Sequence, residues 1–134
     1  MHVWTAAAPG LSIPAAQFSA AVYENSVLPL REFEAARIRI AQINECQLCL
    51  GWRSGRDAPA RAGEADLIDE EFYSHVGDAS WEGFSERELL AADFAERFAC
   101  DHLSMDDPFW NRMRASFTDT EIVDLGLCLH LHRV

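Results

Sequence analysis

The sequence predicts an all-α fold, a compact bundle of about six helices, from three observations. Several segments place apolar residues at steps of three or four, and the segment from Leu30 to Ile43 does so most clearly. Later stretches carry capping motifs that are typical of helix starts. No stretch alternates apolar and polar residues over a length that would favour a β-strand. A chain of 134 residues is also long enough for one domain with a single core.

Residues 1–14 are expected to form an irregular N-terminal arm. Pro9, Gly10 and Pro14 place three helix breakers within six positions, and no apolar period is visible there. The stretch also lacks a basic leader, so it does not resemble a signal peptide. A single domain is therefore expected to cover residues 15–134.

Two further boundaries are predicted in the middle of the chain. Pro29 is expected to separate a first helix from the one that follows it, because proline interrupts a helix interior. Residues 54–63 are rich in small residues and predict a helix end followed by a loop. Residues 64–76 then resume the helical period and predict another helix.

Three helix starts are marked by local motifs. The stretches S-E-R-E at 85–88 and T-D-T-E at 118–121 fit capping boxes, in which the first and last residues bond each other's backbone. Asp107 is predicted to cap a helix whose first residue is Pro108. The helix that starts at residue 118 becomes apolar on almost all sides after Asp124, which indicates either a core position or a subunit interface.

Composition restricts the partners and the location of the protein. Asp and Glu outnumber Lys and Arg by 22 to 11, and the formal net charge is -11. This charge disfavours binding to nucleic acids or anionic membranes, since both are held by clustered basic residues. No stretch approaches the roughly 20 apolar residues of a membrane span. We therefore expect a cytoplasmic protein, in which cysteines more often serve catalysis or metal binding than structural disulfides.

Cys46 and Cys49 form the one closely spaced cysteine pair, at a predicted helix start. The C-x-x-C spacing puts two thiols on one helical turn, within the separation that a disulfide tolerates. Free N–H groups at a helix start favour a thiolate, which can react with a peroxide or exchange with another disulfide. The pair thus predicts redox chemistry, with a zinc half-site and plain core packing as alternatives.

A zinc site would need further ligands, which only scattered residues supply. Candidates are Cys100 with His102, or Cys128 with His130 and His132, but neither group repeats a recognised zinc spacing. We therefore predict no metal and no other cofactor. The two isolated cysteines are expected to be small buried side chains, and the histidines to be structural or exposed.

Three segments together resemble a known family. Glu34 lies twelve residues before the C-Q-L-C pair, and F-S-E-R-E-L-L-A-A-D-F-A-E and F-T-D-T-E-I-V-D-L follow later. These segments resemble the carboxymuconolactone decarboxylase family, on its alkylhydroperoxidase D-like branch, over residues 20–130. The resemblance implies an all-α fold assembled as dimers, trimers or hexamers, and a cysteine pair that reduces peroxides or exchanges disulfides. Members of the decarboxylase branch commonly lack this pair, which argues against lactone chemistry.

The resemblance also implies roles for four residues. Cys46 and Cys49 match the redox pair, and Glu34 matches an acid that assists proton transfer. The family motif has a histidine where this chain has Arg53, whose guanidinium stays charged and can stabilise an anion but cannot relay a proton. Cys49, nearer that position, is expected to attack, and Cys46 to resolve. If the chain turns near Asn44, Arg53 and Glu34 are predicted to form an ion pair.

The sequence therefore predicts a cytoplasmic, homo-oligomeric thiol oxidoreductase, either a peroxidase of antioxidant type or a disulfide oxidoreductase. Its expected partners are a small-molecule peroxide and a reducing protein or small thiol, without nucleic acid or membrane. The alternative is a non-enzymatic redox-sensing or binding protein in which Arg53 has ended the proton relay. A structural zinc protein is the third alternative.

Overall fold

The computed structural model describes residues 6–133, and within this range the secondary structure is helical with no β-strand, which confirms the all-α prediction. None of the helices in this range is both long and apolar enough to cross a bilayer. The α-helices are α1 (Pro9–Asn25), α2 (Leu30–Ile43), α3 (Gln47–Gly51), α4 (Ser54–Asp57), α5 (Glu70–His75), α6 (Glu86–Cys100), α7 (Asp107–Ser116) and α8 (Asp119–His132), with 3₁₀ helices at Pro59–Leu67 and His102–Ser104.

Helix α2 lies at the centre of the bundle and packs most extensively against α6 and α8. Phe33 and Ile40 are completely buried, as the apolar period of α2 predicts, and each such side chain contributes roughly 1.5–3 kcal/mol to folding. Three charged residues of the same helix, Glu32, Glu34 and Arg37, are also buried. Since a buried charge requires a partner, α2 must carry polar interactions into the core.

The prediction that residues 1–14 form an irregular arm is wrong for the part that the structure describes, because α1 begins at Pro9. Pro9 occupies the first helical turn, where a backbone N–H has no acceptor in the helix, so the lack of an N–H in proline costs no hydrogen bond. Pro14 lies inside α1 and cannot donate to the carbonyl of Gly10, but Gly10 is exposed and water can bind that carbonyl. Residues 1–5 lie outside the described residues.

Residues 54–63, predicted as a helix end followed by a loop, are helical except at Ala58, so the loop part of the prediction is wrong. Most of the segment belongs to α4 and to the start of the first 3₁₀ helix, two short elements that pack against each other. A Cβ atom on Gly55 would lie 3.0 Å from the Cα atom of Ala65, so any larger residue here would have to push the backbone of residues 64–65 away. Of the helix predicted at 64–76, only α5 is α-helical.

Both predicted capping boxes are present. The hydroxyl of Ser85 accepts a hydrogen bond from the Glu88 N–H at 3.1 Å, and the Glu88 carboxylate accepts one from the Ser85 N–H at 3.0 Å. Thr118 and Glu121 repeat the arrangement at 3.2 and 2.8 Å. These local motifs therefore fix the first turns of α6 and α8.

The cap of α7 lies one residue before the predicted position. The carboxylate of Asp106, rather than that of Asp107, accepts a hydrogen bond from the Phe109 N–H at 3.0 Å. Pro108 consequently occupies the second helical position, where it is equally tolerated because its missing N–H has no acceptor in the helix.

Helix α8 is buried on one side only. Leu125, Cys128 and Leu129 are completely buried, whereas Val123 and Leu127 are exposed. A core position therefore accounts for the buried residues of α8 but not for Val123 and Leu127. For these two residues, the alternative of a subunit interface remains a prediction.

Candidate redox site

Cys46 and Cys49 are joined by a disulfide at the start of α3, where the sequence predicts a helix start. Their Cα atoms lie 5.2 Å apart, within the usual range for this bond. Cys46 is the N-cap residue, and its sulfur accepts a hydrogen bond from the Cys49 N–H at 3.2 Å. Both cysteines are partly exposed, and Leu48 between them is 82% exposed. The pair is thus open to a reactant.

A tight turn after α2 brings the cysteine pair back beside the end of that helix, so the chain does turn near Asn44. Glu45 has a φ of 53°, in the left-handed region that residues other than glycine seldom adopt. The Cys46 N–H donates to the Ala41 carbonyl at 3.1 Å. The Asn44 side chain donates to the His132 carbonyl at 2.8 Å, and this bond ties the turn to the end of α8.

A buried ion pair between Glu34 and Arg37 lies beneath the cysteine pair. Two parallel hydrogen bonds of 2.7 Å join the carboxylate to the guanidinium, and their side chains are 0% and 1% exposed. The hydroxyls of Ser54 and Tyr73 also bind the carboxylate. Burial alone would raise the pKa of the Glu34 carboxyl, but the hydrogen bonds and charge of Arg37, with both hydroxyls, hold that pKa below its usual range. Glu34 is therefore a carboxylate.

Arg37 connects this ion pair to residues 46–52, here called the redox segment, through backbone carbonyls. Its guanidinium donates to the Cys49 carbonyl at 2.8 Å and to the Trp52 carbonyl at 2.7 Å. Within residues 6–133, Glu34 makes no hydrogen bond to either sulfur. It is linked to the cysteine pair through Arg37, which bonds both the Glu34 carboxylate and the Cys49 carbonyl. The acid thus supports the segment that carries the sulfurs.

The predicted ion pair between Glu34 and Arg53 is wrong. Arg53 binds Glu70 through two hydrogen bonds of 3.0 and 2.8 Å, and its guanidinium lies 3.9 Å from the ring centroid of Tyr73. The bond from Arg53 lowers the pKa of the Glu70 carboxyl. Glu34 pairs with Arg37 instead, because residues three apart on one helix are neighbours before any tertiary contact forms.

A second polar group, formed by Tyr23, Cys128 and His132, lies at the edge of the core, where Cys128 is buried and both rings are partly buried. The His132 Nδ1 atom is 2.7 Å from the Cys128 carbonyl, which can only accept, so Nδ1 must carry the proton. His132 Nε2, 3.0 Å from the Tyr23 hydroxyl, then accepts from that hydroxyl. Burial lowers the pKa of His132 to about 4 and raises that of the Cys128 thiol far above its usual value. This neighbouring cysteine and histidine are accordingly both neutral and do not form a nucleophilic pair.

In the part of the chain that the structure describes, the cysteines and histidines outside the pair do not gather into a metal-binding group. The expectation of a buried thiol is confirmed for Cys128 but wrong for Cys100, which is exposed at the end of α6. His75 stacks on Trp81 with the ring centroids 4.5 Å apart. Among residues 6–133, no group of three or more His, Cys, Asp or Glu side chains is placed to hold a metal ion. The zinc alternative therefore has no site in this range.

The site also contains residues that the sequence pattern does not reveal. Arg37 could have been found, because it lies three positions after Glu34 and opposite charges at that spacing pair on a helix. Ser54 and Tyr73 come from α4 and α5, and no local motif marks them. Their approach to Glu34 follows from the packing of three elements.

Fold and site together define a class: an all-α protein with a partly exposed C-x-x-C disulfide above a buried carboxylate–guanidinium pair. Comparison of the chain with protein-family models, curated proteins and solved structures finds no match. The resemblance to alkylhydroperoxidase D-like proteins therefore stays a prediction.

Proposed function

We propose that this protein is a thiol-dependent oxidoreductase that reduces peroxides through a dithiol/disulfide cycle of Cys46 and Cys49. The observation that carries the proposal is the disulfide itself. Both of its cysteines are partly exposed, and one of them, Cys46, is the N-cap residue of α3. The resemblance to alkylhydroperoxidase D-like proteins supports a peroxide as the oxidant. A cytoplasmic location fits a disulfide that forms transiently during catalysis.

The cycle conserves atoms and electrons. A thiolate attacks one peroxide oxygen, the O–O bond breaks, and a sulfenic acid forms while an alcohol leaves after taking up a proton. The second thiol then attacks the sulfenic sulfur, which closes the S–S bond and releases water. Two electrons have passed from the sulfurs to the peroxide. A reducing protein dithiol or small thiol returns the pair to the dithiol state by exchange and is itself oxidised to a disulfide.

We assign the attack to Cys46, which revises the expectation that Cys49 attacks. The sulfur of Cys46 accepts the Cys49 N–H in the folded protein, and a hydrogen bond to a sulfur favours its anionic form. Cys49 lies one turn further along and is placed to resolve the sulfenic acid.

The expected roles of Glu34 and Arg53 in proton transfer are also revised. Glu34 is buried, ionised and bonded to Arg37, so it has no proton to give at neutral pH. Arg53 is held by Glu70 and remains charged. Protons for the leaving alcohol and water are therefore expected to come from solvent, since both cysteines are partly exposed.

The proposal is tested by mixing reduced protein with cumene hydroperoxide and dithiothreitol and following peroxide consumption. Turnover is expected to disappear in Cys46→Ser, and Cys49→Ser treated with the hydroperoxide in the absence of dithiothreitol is expected to accumulate a sulfenic acid at residue 46 that dimedone traps. Cys100→Ser is the matched control, because this thiol is exposed outside the site. Turnover that persists in Cys46→Ser would reject the mechanism.

The second candidate is a redox sensor, in which the disulfide forms without turnover. It is favoured by the engagement of both Glu34 and Arg53 with partners of opposite charge, since neither is left to act as an acid or base. Oxidation by one equivalent of peroxide, with slow reduction and no catalytic consumption, would favour sensing over catalysis.

Homo-oligomerisation remains part of the proposal. A groove of about 340 Å³ between α1 and α8 has an apolar lining that includes Phe18, Val22, Val27, Val123 and Leu127. Apolar surface of this kind is typical of subunit contacts. Sedimentation of wild type and Leu127→Glu would test it, because the variant is expected to shift towards a smaller species if this groove is the contact.

A further inference from the structure

Every backbone carbonyl from residue 49 to residue 52 accepts a hydrogen bond from an arginine side chain. Arg37 donates to residues 49 and 52 at 2.8 and 2.7 Å. Arg53 donates to residues 50 and 52 at 2.6 and 3.0 Å, and Arg56 donates to residue 51 at 2.9 Å. We call these three arginines the guanidinium clamp.

Each arginine of the clamp is held by an acidic residue from a different element. Glu34 of α2 binds Arg37 at 2.7 Å, Glu70 of α5 binds Arg53 at 2.8 Å, and Asp57 of α4 binds Arg56 at 2.6 Å. The three arginines and their three acidic partners therefore balance in charge. The clamp fastens the end of the redox segment to three separate parts of the fold.

Helix α3 needs such support because it is only five residues long. Isolated helices of this length do not persist in water, since the cost of the first turn is not recovered. While the disulfide is closed, the S–S bond itself holds Cys49 near Cys46. Once it is reduced, the arrangement of the two thiols depends on the hydrogen bonds that fix residues 49–52.

We propose that the guanidinium clamp keeps Cys49 in place when the pair is reduced. The clamp thereby sets the reduction potential of the Cys46–Cys49 pair. This inference rests on the proposed function to the extent that the pair must cycle. Two thiols held close together have a high effective concentration for each other, so the clamp favours the disulfide. Without it, the dithiol gains conformational freedom and the disulfide is more easily reduced.

The three arginines contribute unequally, because their exposure differs. The side chain of Arg37 is 1% exposed, that of Arg53 16% and that of Arg56 61%. Hydrogen bonds and ion pairs weaken as water competes for the same groups. Arg37 is thus the strongest member of the clamp, but it also belongs to the core, which makes Arg53 the better residue to change.

The test equilibrates the protein with mixtures of reduced and oxidised dithiothreitol and measures the dithiol fraction by alkylation and mass spectrometry. Arg53→Gln is expected to lower the equilibrium constant for disulfide formation about tenfold, a potential about 30 mV less negative. Arg53→Lys keeps the charge, but one ammonium cannot span Glu70 and two carbonyls as a guanidinium does. It should shift the potential in the same direction, and Arg56→Gln should shift it less.

Arg39→Gln is the matched control, because Arg39 binds Glu96 at 3.2 Å and donates to none of the four carbonyls. Circular dichroism confirms that each variant is folded. Wild-type potentials in both Arg53 variants would overturn the clamp, and so would a wild-type potential in Arg53→Lys alone, since charge would then be the cause. A wild-type pair that exchanges no electrons with dithiothreitol would instead overturn the proposed function.

Discussion

Changing Glu34 to Gln gives the sharpest test of the buried ion pair with Arg37. The substitution keeps the size of the side chain but removes its charge, which leaves the guanidinium of Arg37 buried without a counterion. Both side chains are at most 1% exposed and share two hydrogen bonds of 2.7 Å. Breaking a pair this deeply buried typically costs roughly 3–5 kcal/mol of folding free energy.

A double variant separates the value of the pair from the cost of an isolated charge. In Glu34→Gln with Arg37→Met, neither position of the pair is charged, although the carbonyls of residues 49 and 52 lose their buried donors. The double variant should therefore be more stable than the sum of the single changes predicts, by about 2 kcal/mol or more.

Urea unfolding at pH 7, followed by far-UV circular dichroism, measures each term. Arg39→Met is the control, since the pair of Arg39 with Glu96 is partly exposed and such pairs contribute about 0–1 kcal/mol. A cost below about 1 kcal/mol for Glu34→Gln, or additive effects in the double variant, would refute the view that this ion pair is tightly coupled in the core.

Three other predictions concern separate parts of the molecule. The pKa of His132 falls from 6.5 to about 4 on folding, so the unfolded chain binds more protons between these values. The contribution of His132 to wild-type stability, measured by urea unfolding at several pH values, should drop by up to roughly 3 kcal/mol as the pH falls through this window, and His132→Phe should make the slope shallower by that amount. An unchanged slope would contradict this. Ser85→Ala should cost about 1 kcal/mol in the same assay through loss of the cap of α6, whereas no loss would mean that the box is dispensable. Leu48→Ser should slow reduction by a protein dithiol but not by dithiothreitol, because Leu48 is exposed between the two cysteines; equal effects in a stopped-flow assay would argue against protein contact there.

Elements defined by nearby residues were predictable from the sequence. Helix α2 has the predicted bounds because its apolar period is regular from Leu30 to Ile43. The boxes at 85–88 and 118–121 were also correct, since the four residues of each box contain both partners of its hydrogen bonds. Asp106 and Asp107 show the limit of such motifs, as two adjacent acids are equally able to cap and packing decides between them.

Features that depend on distant residues were not predictable. The sequence predicts Arg53 as the ion-pair partner of Glu34, and this is wrong. Two arginines were candidates, because Arg37 lies one turn along the same helix and Arg53 lies where the chain folds back. Tertiary placement of Glu70 beside Arg53 settled the pairing. Helix α1 was missed because its local signals are misleading, since Pro9 and Pro14 both disfavour a helix. Pro9 is tolerated because its position needs no backbone N–H, and Pro14 because water can bind the carbonyl that it leaves free.

The short span of the disulfide separates its chemistry from the stability of the fold. Cys46 and Cys49 enclose only two residues, and closing so small a loop restricts the unfolded chain by roughly 2 kcal/mol, compared with about 3 kcal/mol for a loop of 15 residues. The core around Phe33 and Ile40 of α2 does not include either sulfur. The protein is therefore expected to remain folded when the S–S bond opens, so electrons enter and leave at the sulfurs without melting the bundle around them.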